Sequence, residues 1–75
     1  MESVANEQQI KEAYNQVVGD LIAKLTWTIR FDGNALYIRL ASAALRHELS
    51  LRRQSLIDKI NEHLEMNAVK NIVFL

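Results

Sequence analysis

The side chains with the most chemical potential fall on two short alternating stretches. In residues 25–31, LTWTIRF, the odd positions Leu25, Trp27, Ile29 and Phe31 are apolar, and Thr26, Thr28 and Arg30 take the other parity. In residues 35–40, ALYIRL, Leu36, Ile38 and Leu40 alternate with Tyr37 and Arg39. If both stretches are strands of one hairpin, Thr26, Thr28, Arg30, Tyr37 and Arg39 line one face. Such a face combines cations, hydroxyls and one ring. Arginine pairs with phosphate and an aromatic ring offers a base a stacking platform, so the set suits nucleic acid. The competing reading is an ordinary wet face, because antiparallel sheets often leave one side in water.

A second basic group follows, Arg46, Arg52 and Arg53, within a helical stretch that ends in Glu62 and Glu65. A helix macrodipole favours the opposite arrangement, although the misfit is worth only about 0.3 kcal/mol or somewhat more per exposed charge. The placement points to a contact with an anion or an acidic partner. Its competitor is a Glu48–Arg52 pair at i, i+4, with arginine stems lying over apolar surface. Leu51 points away from the apolar stripe of this helix. A single exposed leucine is normal, but beside an unpaired edge strand it can mark a homodimer contact.

Catalytic sets are missing. Ser50 and Ser55 lie inside a helical stretch with no base marked to activate them. On one straight helix His47 and His63 stand about 24 Å apart, too far to share a metal. The only glycines are Gly19 and Gly33, so no glycine-rich phosphate loop exists. Asp58, Glu62 and Glu65 share a helix side and read as a solvated face. These observations point to a protein that is no enzyme, with no catalytic residue, no metal, no cofactor and no small-molecule substrate.

At 75 residues the chain reads as one domain over 1–75. A chain of this size hides only about 60% of its unfolded surface. It has no cysteine, hence no disulfide. No apolar run approaches the ~20 residues of a membrane span, and MESVANEQQ is not a secretory leader, so the expected location is the cytosol. Net charge is zero but segregated. Residues 1–20 hold one cation and four carboxylates, net −3; residues 21–53 hold six cations and two carboxylates, net +4; residues 54–75 hold two and three, net −1. A basic middle suits phosphate or an acidic partner, and chance clustering in a short chain is the plainer alternative.

The elements that must position these groups follow from periodicity. Residues 1–6 are expected to fray. From Glu7, Ile10, Tyr14, Val17, Val18, Leu21 and Ile22 form a helical stripe. Gly19 either kinks this helix or ends it, with a short restart through Lys24; a close backbone approach is expected there. Parity then tests the hairpin. An Asp32-Gly33 turn pairs Phe31 with Asn34, Ile29 with Leu36, Trp27 with Ile38 and Leu25 with Leu40, which keeps the apolar residues on one face. A Gly33-Asn34 turn also keeps parity and is the second choice.

Residues 42–64 predict one long helix. Leu45, Leu49, Leu56, Ile60 and Leu64 recur at spacings of four, seven, four and four, with Ser42 as N-cap and Asn67 as the left-handed stop. Residues 68–75, AVKNIVFL, form a third strand with Ile72 and Phe74 inward. The expected architecture is α+β, a two-layer sandwich in α-β-β-α-β order. A three-stranded sheet carries its helices on one face, and Trp27, Ile38 and Leu56 share the interior. Strand order stays open at this point.

Three stretches in this order and spacing carry a resemblance: YNQVVGDLIAKLT, FDGNALYIRLASAALRHELSLRRQSLIDKINEHL and VKNIVF. Together they resemble the DciA-like family, the Dna[CI] antecedent, most of all its short Bacteroidetes-type versions. Tyr14 stands where family members usually carry tryptophan, and Gly19 matches the family glycine. The resemblance implies a K-homology-like fold. It also implies a role beside DNA in loading or operating the replicative helicase. Two departures accompany it. The sequence has no G-x-x-G, which a K-homology nucleic-acid loop needs, and it stops at Leu75 without the basic tail of longer members. The reading is therefore a helicase-loader-like module with weak contact to single-stranded DNA through Arg30, Tyr37, Arg39, Arg46, Arg52 and Arg53. Its rival is a protein-interaction or dimerisation module that works through an edge strand or Leu51.

Overall fold

The computed structural model describes residues 5–75. Seven elements follow in order: α1 (Glu7–Val18), α2 (Asp20–Lys24), β1 (Thr26–Asp32), β2 (Ala35–Leu40), α3 (Ala43–Leu51), α4 (Arg53–Leu64) and β3 (Asn71–Phe74). The strands form one sheet in the order β1-β2-β3, antiparallel between the first two and parallel between the last two. The fold is α+β, an open mixed sheet with helices packed against it. Both helices expected from periodicity are present, and each is divided in two.

Ala5 and Asn6 are ordered parts of the fold, where fraying was expected; residues 1–4 lie outside the described range. Ala5 is buried. Asn6 caps α1 reciprocally: its Oδ1 accepts from Gln9 N–H at 2.8 Å and its own N–H donates to Gln9 Oε1 at 3.0 Å. The helix buries Ile10, Ala13 and Tyr14, the i, i+3, i+4 face of its stripe. Gly19 ends α1 and begins α2 at φ 88°, ψ 169°, a backbone region open almost only to glycine. Nothing lies within 4 Å of a Cβ built there. Gly19 thus serves conformation and not the close approach expected from its place in an apolar stripe. Past that bend the stripe loses its phase, and Leu21 is 75% exposed.

The hairpin closes through Gly33-Asn34, the second of the two turns parity allowed. Asp32 pairs with Ala35, Phe31 with Leu36, Ile29 with Ile38 and Arg30 with Tyr37. Gly33 supplies the positive φ of 66°. The register then slips between Thr26 and Thr28, so Thr28 faces Arg39 while Thr26 faces Leu40. Trp27 is the extra residue of a β-bulge and is 66% exposed. Ile38 and Leu56 are buried as expected, but Trp27 does not join them. Leu25 also sits at the surface.

Thr26 takes the inward place instead. Its hydroxyl donates to the Ile22 carbonyl at 2.8 Å, which leaves its oxygen to accept from the Tyr14 hydroxyl at 3.0 Å. Tyr14 is fully buried, and a buried phenol requires such a partner. Burial pushes the Tyr14 phenol above its usual pKa, with the Thr26 contact opposing weakly.

The long helix breaks at Arg52, φ −109° and ψ 21°. Two local causes coincide. The Ser50 hydroxyl donates to the His47 carbonyl at 2.7 Å, which competes with the helical ladder. The stripe also skips a turn, with Arg52 and Arg53 where apolar residues would anchor it. The break leaves both Leu49 and Leu56 buried. Ser42 caps α3 as expected, accepting from Leu45 N–H at 3.1 Å. The left-handed stop falls on Glu65, two residues before Asn67. There Met66 N–H reaches back to the Asn61 carbonyl at 3.2 Å, the closure that ends helices of this kind.

Asn61 makes the link that sequence did not reveal. Its side chain donates to the Val69 carbonyl at 2.8 Å and accepts from the Val69 N–H at 2.9 Å. It treats the approach to β3 as a strand partner would, and Val69 is fully buried. Tyr14, Ile10, Leu36, Ile38, Ile60, Ile72 and Val69 are the largest fully buried side chains. Each stabilises the fold by about 1.5–3 kcal/mol of transfer free energy before entropy is counted.

Candidate nucleic-acid interface

Register places the polar side chains in rows across the face of the sheet opposite Leu36, Ile38 and Leu40. Arg30, Tyr37 and Val73 form one row through all three strands, and Thr28 and Arg39 form the next. Thr26, assigned to this face by simple alternation, is turned inward by the bulge. Arg39 is exposed and makes no ion pair among the described residues. Tyr37 is half-buried between its strand neighbours. The face therefore offers one free cation, one ring and a second cation that is partly engaged.

That second cation is Arg30, whose Nε lies 3.3 Å from Glu7 Oε2 while its side chain stays 76% exposed. The same Glu7 oxygen accepts from the Phe31 N–H at 2.9 Å. The Phe31 N–H and, after it, Arg30 hold the Glu7 carboxyl below the ordinary carboxylate range. Glu7 therefore fixes the root of Arg30, and the rest of the guanidinium remains available to a ligand.

Each arginine of the second basic group has a partner within the fold. Arg53 Nε donates to the Ile72 carbonyl at 2.9 Å, and its guanidinium carbon lies 5.6 Å from the centre of the Phe74 ring. An Arg46 NH group donates to the Leu75 carbonyl at 3.2 Å. Arg52 pairs with Glu48 at 3.2 Å, both largely exposed. Two of the three arginines thus bind the last strand and its end, and the third makes a surface pair worth at most about 1 kcal/mol. The reversed charge order of this helix has a local explanation in these strand contacts.

Sequence reasoning missed a groove between α1 and the outer edge of β1. It is open, about 320 Å³, and lined by Lys11, Asn15, Trp27, Thr28, Ile29 and Arg30 among others. The signal was available in part, since a buried Tyr14 needs a polar neighbour and Thr26 is within reach of the helix end. No group of three or more metal-ligating side chains forms among the described residues. No helix there is long and apolar enough to cross a membrane.

Two comparisons bear on this geometry. No curated protein matches the chain. The family model described as Dna[CI] antecedent, DciA, matches residues 1–74. That family is associated with loading of the replicative helicase DnaB in DNA replication, and it is a helicase-loader-type accessory domain that is not a known enzyme. With the match running over all but the last residue, the chain belongs to the DciA family.

Proposed function

We propose that this chain is a non-enzymatic accessory module of DNA replication that works beside the replicative helicase in the cytoplasm and contacts single-stranded DNA weakly through its open sheet face. The observation that carries the DNA part is the pair of rows Arg30–Tyr37–Val73 and Thr28–Arg39, which sets cations beside a ring on one wet surface. Arg39 and the free part of Arg30 meet phosphate, and Tyr37 stacks on a base. Arg46, Arg52 and Arg53 contribute little to this contact, because each already has a partner within the fold.

Fluorescence anisotropy with a labelled oligothymidylate tests the reading. Affinity falls with salt at a slope of about −0.7 per phosphate contact, so two arginines give roughly −1.4. Arg30→Glu with Arg39→Glu abolishes binding while the circular dichroism spectrum is kept. A flat anisotropy at low salt removes the DNA contact from the proposal. Co-purification with the replicative helicase tests the remaining part, and failure of the purified proteins to associate removes it.

A further inference from the structure

The outer edge of β1 is unfinished as a sheet edge. Ile29 stands opposite Ile38, whose carbonyl accepts from Leu75 N–H at 2.8 Å on the β3 side. Backbone groups alternate in direction along an antiparallel strand, so Ile29 turns its N–H and C=O away from β2. Phe31, two residues on, shows the same direction: its N–H leaves the sheet to meet Glu7. Glu7 thereby occupies the place of a neighbouring strand's carbonyl at Phe31, and no such group meets Ile29 among the described residues.

The surroundings specify what fits. Trp27 is expelled by the bulge and lies in the groove along this edge. Lys11 and Arg30 line the same groove, and among the described residues no carboxylate lines it, Glu7 meeting Arg30 from beyond its end. We propose that the β1 edge takes a short, extended, acidic peptide segment of a partner protein as a fourth strand. Its backbone pairs with Ile29, an apolar side chain lies on Trp27, and carboxylates meet Lys11 and Arg30. Glu7 stops the pairing at Phe31, so the docked segment is only a few residues long. A nucleic-acid strand would use the ring and the cations but would not use the free backbone pair at Ile29, which favours the peptide.

The test uses the folded chain and a synthetic heptapeptide of alternating glutamate and valine. Trp27 is the only tryptophan, so its emission reports this groove alone. The peptide is expected to shift that emission and to slow hydrogen exchange of the Ile29 amide about tenfold at saturation. A version N-methylated on its pairing edge binds about tenfold more weakly for each ladder bond lost. Lys11→Glu with Arg30→Glu weakens the unmodified peptide by about the same factor at low salt. The proposal is overturned if the emission does not move at millimolar peptide, or if the N-methylated version binds as well as its parent. It is equally overturned if a lysine–valine peptide binds as tightly, or if oligothymidylate protects the Ile29 amide and the peptide does not. Emission that depends on protein concentration, and that the peptide cannot alter, assigns the edge to a second copy and also ends the proposal.

Discussion

The two outer edges of this sheet meet the same physical problem and meet it differently. On β3, Ile72 directs both backbone groups away from β2. The Asn71 side chain accepts from its N–H at 2.9 Å, and Arg53 donates to its carbonyl at 2.9 Å. On β1, Ile29 presents the same outward pair with neither filled among the described residues, beside an exposed tryptophan. An open edge invites association, and folds usually blunt it. One edge here is closed by Asn71 of the strand itself and Arg53 of α4, and the other is left open among the described residues. Edge closure is thus local work by a few polar side chains and does not follow from strand content.

Substitutions on the closed side should cost stability, and those on the open side should not. Asn61→Ala strips both partners from Val69 and is expected to lower unfolding free energy by about 2–4 kcal/mol, read as a reduced urea midpoint. Arg53→Met keeps the stem and loses the bond to Ile72 and the contact with Phe74, a cost of about 1–2 kcal/mol in the same assay. Apart from either edge, Tyr14→Phe removes the buried hydroxyl that reaches Thr26 and costs about 1 kcal/mol.

Acid titration addresses the single donor that is covered on β1. The Glu7 carboxyl is held below its unfolded value, so its contribution is present above that value and is lost as pH falls through the folded one. The acid limb of the stability curve should flatten in Glu7→Gln. Trp27→Thr is expected to change stability by no more than about 0.5 kcal/mol, because the ring is mostly in water. A large loss in Trp27→Thr would show that the open edge is structural after all, and the comparison would fail.

Much of the fold was legible. Apolar alternation gave β1, β2 and β3, and the leucine stripe gave the helical stretch, because those signals are long and periodic. The turn was legible only to within two choices, since both keep parity. Trp27 could not be placed, because a bulge breaks period two without changing any residue type around it. The break at Arg52 was written as a skipped turn in the stripe, but a gap in apolar spacing is compatible with a continuous helix. Of the site, the alternation of Arg30, Tyr37 and Arg39 was readable. The capture of Arg46 and Arg53 by the last strand was not, because it depends on which strand lies at the edge.

The hairpin turn also reaches beyond the hairpin. The Asn34 carbonyl accepts from Lys70 N–H at 2.8 Å and from Asn71 N–H at 3.3 Å. A two-residue loop therefore acts as the index mark against which a strand almost forty positions later is aligned. Lengthening that loop by a single residue would move the mark, and the inward and outward sides of the last strand would trade places far from the change.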